Sequence, residues 1–129
     1  MLHTIIVVHL TKDGLYIRRN SKNLYEYNTV MVKGGYDFYN GIKTLIHVTN
    51  FKLIKLFVLH SEYTSFYIAF GVRTRFSLFF SSLLRREKEN KHIIPFNDIE
   101  TCNNFANKEE LLSILRNFTD NKFKEITDR

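Results

Sequence analysis

Cysteine, proline and alanine are nearly absent from this sequence. The single cysteine, Cys102, excludes an intramolecular disulfide framework and supplies no zinc pattern, so a reducing compartment is the simpler setting. Pro95 is the one proline, and Ala69 and Ala106 are the two alanines, whereas Phe, Tyr, Ile, Asn and Lys are abundant. A/T-rich codons produce that bias, as in an organelle, a virus or a reduced genome. Long apolar runs are missing too. The most apolar window, Phe51 to Leu84, is interrupted by Lys52, Lys55, Glu62, Arg73 and Arg75, whereas a helix across a bilayer needs about 20 largely apolar residues. No membrane span is expected, and Leu2 to Leu10 has neither the basic leader nor the cleavage site of a secretory signal. Acidic residues are scarce over positions 1–93, 6 against 14 basic, and the balance reverses over 94–129, 7 against 5. A basic body suits a polyanion, with nucleic acid first; general solubility is the plainer explanation.

At 129 residues the chain is one domain's worth of core. Its character changes between Val30 and Gly41, where three of the five glycines lie, Gly34, Gly35 and Gly41. Before this stretch apolar residues alternate as in strands; after it they recur every three or four positions, as on a helix. Doubled glycine at such a junction suits a sharp loop, either a plain turn or one that lets a ligand approach its backbone. The spacing matches neither Gly-x-Gly-x-x-Gly nor a Walker loop, so nucleotide cradling of those kinds is excluded.

Thr4 to Leu10 places Ile6, Val8 and Leu10 on one face and Ile5 and Val7 on the other, which predicts a central strand buried on both sides. Asp13-Gly14 signals a hairpin, Leu15 to Arg19 the returning strand, and Leu24 to Lys33 a third. Beyond the glycines, Ile42, Leu45, Ile46 and Thr49 form a helical stripe. Leu53 to Leu59 then reads as a strand buried on both faces and paired in parallel, reached by a right-handed crossover. Tyr63, Phe66, Tyr67 and Phe70 share a second helical side, with Ser61 as N-cap and Gly71 as C-cap. Val72 to Ser82 alternates again, and the charge run 85–91 reads as a solvated segment or an RNA or partner contact. Asn107 starts a last helix with apolar face Leu111, Leu112, Ile114, Leu115 and Phe118. The expected fold is α/β, a mixed five-stranded sheet in the order β-β-β-α-β-α-β, of the ribonuclease-H-like or ribosomal type. Residues 1–84 form that domain, and 85–129 a charged linker and helical C-terminal extension.

Catalytic chemistry is not expected. Nucleases of this element order hold two metal ions with carboxylates on the first strand and after the fourth. Here the first strand has none, Asp13 falls in a turn and Glu62 stands alone. His3, His9, His47, His60 and His92 show no ligand spacing, and a nucleophilic pair of Cys102 with a histidine is not expected, since the sequence gives it no geometry. Neither a metal nor any other cofactor is expected.

Three stretches resemble the small-subunit ribosomal protein S-eleven family, in its bacterial and organellar branch. Thr4-Ile-Ile-Val-Val-His-Leu-Thr-Lys-Asp-Gly14 is similar to its opening strand and turn. Gly34-Gly-Tyr-Asp-Phe-Tyr-Asn-Gly41 resembles its Gly-Gly-x-Gly-Phe-x-Gly loop, and Phe70-Gly-Val-Arg73 its Ala-Gly-Phe-Arg-like turn, so the resemblance spans roughly residues 4–82. The family's Lys-Gly-Pro-Gly-rich loop and basic, proline-rich tail have no counterpart here. The resemblance implies a structural constituent of the ribosome that binds and stabilises folded small-subunit rRNA beside neighbouring ribosomal proteins, in the mitochondrial matrix or, alternatively, the cytoplasm. It implies phosphate contacts from Arg18, Arg19, Lys22, Lys33, Arg73, Arg75, Arg85 and Arg86, and close backbone approach at Gly34 and Gly35. Tyr36, Phe38 and Tyr39 would stack on bases or pack onto the sheet. Leu111, Leu112, Ile114, Leu115 and Phe118 read as a protein-docking face. The alternatives are a non-catalytic interaction subunit of a viral or organellar assembly and a degenerate nuclease-fold domain.

Overall fold

The computed structural model describes residues 2–48, 50–74 and 91–127. Within them the chain is a mixed α/β fold, a strand-rich sheet with one helix on each face. Strand β1 (His3–Thr11) is its spine. It pairs in parallel with β6 (Thr64–Arg73) along one edge. The other edge is shared, by β2 (Gly14–Arg19) at its end and β4 (Asn28–Val32) at its start, both antiparallel. The hairpin announced by Asp13-Gly14 therefore opens into a fork. The short β3 (Tyr25–Glu26) follows β2 into it, and the chain turns at Tyr27 to run back along β1. Helix α1 (Tyr36–Ile46) crosses from β4 to β5 (Phe51–His60), which hairpins with β6. The outer strands are β7 (Lys91–Ile94) on β2 and β8 (Lys124–Ile126) on β5, for eight strands among the described residues.

Alternation along β1 divides the core as the sequence predicts. Ile6, Val8 and Leu10 join Leu15, Ile17 and Ile68 under helix α2 (Lys108–Thr119), whose Leu111 and Ile114 are buried there. Ile5 and Val7 join Val32, Leu56, Tyr67 and Ala69 under α1, which contributes Phe38, Ile42, Leu45 and Ile46. Apolar rows on both faces of one strand require a covering layer on each side. The two amphipathic helices supply it.

Five expectations are corrected. The stripe Tyr63, Phe66, Tyr67 and Phe70 is not a second helix but lies at and along β6, which gives Phe66, Ile68 and Phe70 to the α2 side and Tyr67 and Ala69 to the α1 side. Gly71 is accordingly no helix cap. A Cβ there would collide with the Lys52 carbonyl and the Phe51 ring across the hairpin, so glycine is needed for close approach. The parallel pair is β1–β6, and β5 is antiparallel to both its neighbours. Finally, the C-terminal part is no appendage: β7 and β8 extend the sheet and α2 closes the core. The single strand expected over Leu24 to Lys33 is broken at Tyr27 into β3 and β4. The strand expected over Val72 to Ser82 enters β6 only as far as Arg73 and has ended by Thr74; positions 75–82 lie outside the described residues.

Candidate nucleic-acid interface

Four of the expected basic residues, Arg18, Arg19, Lys22 and Lys33, divide between two places. At the far end of β2, Arg18 donates to Glu26 Oε1 at 3.0 Å in an ion pair open to solvent. Arg19 donates to Asn23 Oδ1 and to the Tyr25 hydroxyl, each at 3.1 Å, and its guanidinium carbon lies 5.2 Å from the Tyr25 ring centroid. Asn20 holds the turn by accepting from the backbone N–H groups of Lys22 and Leu24, at 2.9 and 3.0 Å. That leaves the Lys22 side chain exposed. These arginines brace their own hairpin; Lys22 is the cation there without a described partner. Beside them on β7, burial and then the Arg19 charge hold the His92 imidazole below its usual range.

The second place is the start of β1. Val32 pairs with His3, so Lys33, Gly34 and Gly35 emerge at that end of the sheet. Gly35 sits at φ 73°, the left-handed region that favours glycine, and α1 begins at the next residue with no side chain capping its first turn. The aromatics expected in the loop therefore stand on the helix instead. Phe38 packs into the α1-side core, its ring edge-on to His3 at 5.4 Å. Tyr39 is 59% exposed, with Lys43 Nζ 4.5 Å from its ring centroid. Nothing is described of the Tyr36 side chain, and Arg75, Arg85 and Arg86 lie outside the described residues. Arg73 is exposed at the end of β6. It lies beyond the Gly71 crossing, near the opposite end of the sheet from Gly34.

Three residues assigned no role by the sequence meet beside the glycines. Ser65, fully buried, is the cross-strand partner of His60 and pairs in register with Ile5. Its hydroxyl lies 2.7 Å from His3 Nε2 and 2.8 Å from His60 Nδ1. The His60 ring also meets Tyr67 edge-on at 6.4 Å, and burial raises the Tyr67 phenol above its usual range. An open groove of about 360 Å³ runs over this cluster, lined by His3, His60 and Ser65 together with Gly34, Phe38, Glu62 and Tyr63. The parallel β1–β6 register makes the meeting, and a helix over 63–70 hides it. Reading that segment as a strand is what would have exposed it.

The docking face is corrected in part. Leu111 and Ile114 are spent on the protein's own core, whereas Leu112, Leu115 and Phe118 are half-buried and line an open apolar groove of about 680 Å³ with Leu10, Phe70 and Phe96. The carboxylates weighed for a two-metal nuclease stand apart. Asp13 follows the end of β1 and Glu62 precedes the strand aligned with its start, a separation of roughly 25 Å at about 3.3 Å per residue. No cluster of three or more metal-ligating side chains occurs among the described residues, and no described helix is long and apolar enough to cross a membrane. No protein-family model matches the chain, and the comparison with curated proteins returns no match.

Proposed function

We propose that this protein is a non-catalytic RNA-binding component of a ribonucleoprotein, with the small subunit of an organellar ribosome as the assembly that the resemblance points to. The observation that carries this reading is the end of the sheet where Lys33, the uncapped start of α1 and the groove over His3 and His60 adjoin. An exposed lysine and a helix start that no side chain caps, beside an aromatic-lined groove, suit a sugar-phosphate chain, which is held chiefly by phosphate contacts. The formal net charge of +6 supplies the attraction. Of the three stretches that carry the resemblance, the first keeps the local form it implies, the β1–β2 hairpin, whereas of the second only Gly34 and Gly35 precede the helix and the other six residues lie in α1. The third, Phe70 to Arg73, lies inside β6, so the proposal leans on the first.

The test is sedimentation of a native extract at low magnesium, with mass spectrometry following this chain across the gradient. Co-migration with the small ribosomal subunit until high salt strips it supports the proposal. Recovery only in light fractions, with no RNA bound, defeats it. The apolar groove beside α2 favours a second reading, an interaction subunit whose partner is a protein; tight, salt-insensitive association with one protein would select it.

A further inference from the structure

The groove at the start of β1 carries a more specific assignment, which takes its choice of ligand from the RNA-binding reading. Its polar floor is two imidazoles joined through one buried hydroxyl: His3 Nε2 and His60 Nδ1 both bond Ser65 Oγ, at 2.7 and 2.8 Å. A hydroxyl has one hydrogen, so it donates to one ring and accepts from the other. The two neutral rings must therefore hold the same tautomer, both Nδ1–H or both Nε2–H, so that one donates to the hydroxyl and the other accepts from it. Of the two nitrogens left over, His3 Nδ1 and His60 Nε2, one carries a hydrogen and the other a lone pair. Adding a proton to the latter makes both donors and places a positive charge in the groove, an arrangement suited to a phosphate group. Gly34 brings its backbone to the same groove, where a phosphate could come close to it. Tyr63, 49% exposed at the rim, offers an aromatic surface for a base. Glu62, the one carboxylate of the lining, accepts a hydrogen bond from a hydroxyl such as a ribose hydroxyl and repels phosphate. The open volume of about 360 Å³ lies at the small end of the range for small-molecule sites. We infer that the His3–Ser65–His60 groove is a nucleotide subsite, binding the phosphate of one residue of a single-stranded RNA at the imidazoles and its base at Tyr63.

The test is a magnetic-resonance titration of the full isotope-labelled chain with uridine 5′-monophosphate, with uridine, with inorganic phosphate and with a single-stranded oligoribonucleotide. The monophosphate and the oligonucleotide should both shift the ring nitrogens of His3 and His60 and the Gly34 amide, with uridine binding at least tenfold more weakly. His60→Ala should weaken the monophosphate at least fivefold. Tyr63→Ala, a surface change that leaves the imidazole pair in place, should weaken the monophosphate about threefold and leave inorganic phosphate unaffected. Oligonucleotide binding with both rings unmoved overturns the subsite and leaves the RNA-binding reading standing. Monophosphate shifting both rings while the oligonucleotide fails to bind defeats the broader reading and overturns the RNA assignment of the subsite, leaving a site for free nucleotides. No response of either ring to the monophosphate overturns the subsite outright.

Discussion

The two helices close opposite faces of one sheet in different ways. Helix α2 drives Leu111 and Ile114 fully into the core, alongside Ile99, Phe105 and Ile94 from the neighbouring segments. Helix α1 covers its face with half-buried side chains only, Phe38, Ile42, Leu45 and Ile46, and none of its described side chains is fully buried. The polar cluster His3–Ser65–His60 and the groove above it lie on the α1 side. Each side keeps an open groove, but α2 sends two side chains fully into the core and α1 none, and the histidine–serine cluster lies beneath the shallower helix. That division is the usual relation between a rigid scaffold and the loops and cluster it positions.

The largest effect should come from the α2 face. Leu111→Ala removes a fully buried side chain and should lower unfolding free energy by about 2–5 kcal/mol. Ile42→Ala on α1 should cost clearly less, and chemical denaturation of the two variants checks the order; an equal or reversed order would break the comparison. Gly71→Ala pushes a methyl group into the Lys52 carbonyl and the Phe51 ring, and should cost about 1–3 kcal/mol by the same measurement. Ser65→Ala strips the shared hydroxyl from two rings that reach solvent, so its cost should be about 1 kcal/mol. It should also change the proton exchange of both His3 and His60, which a purely local effect would not.

Smaller effects separate the two basic regions. Lys33→Ala and Lys22→Ala should change stability by no more than about 0.5 kcal/mol, while each lowers the salt slope of RNA affinity by about 0.7 for a single strand. Arg18→Ala and Arg19→Ala act within their hairpin, and their RNA effect should be the weaker one. The smallest effect is set by pH. Because the His92 imidazole is held below its ordinary value of 6.5 in the folded chain, the unfolded chain binds the additional proton. Its contribution is whole above pH 6.5 and is lost as pH falls from there toward the lowered folded value. His92→Gln should flatten that part of the stability profile, as thermal melts across the window would report.

The sequence made β1, its hairpin, the Gly34 junction and both helices legible, because each has a period or a turn signal of its own. It failed at β6 for a physical reason. Covered by a helix on each face, β6 lacks apolar–polar alternation as β1 does, but where a hairpin signal follows β1, Ser61 and Gly71 flank this stretch and read as helix caps. Tyr63, Phe66, Tyr67 and Phe70 then fall at helical spacing by coincidence. Composition held the remaining clue, since Thr64-Ser-Phe-Tyr-Ile-Ala-Phe-Gly-Val72 is rich in aromatic and β-branched residues and poor in strong helix formers. That one misplaced element also concealed the site, since His3, His60 and Ser65 come together only through the strand register. The arginines at 18 and 19 were visible as charge, but no pattern reveals that Glu26 and Tyr25 already engage them.

The most direct measurement is the affinity of the full chain for a single-stranded oligoribonucleotide as a function of salt. A steep fall on raising salt, with a log–log slope that shrinks in Lys33→Ala and hardly changes in Arg19→Ala, is the predicted result. Absence of saturable binding at low salt, or affinity indifferent to salt, would contradict the RNA-binding reading.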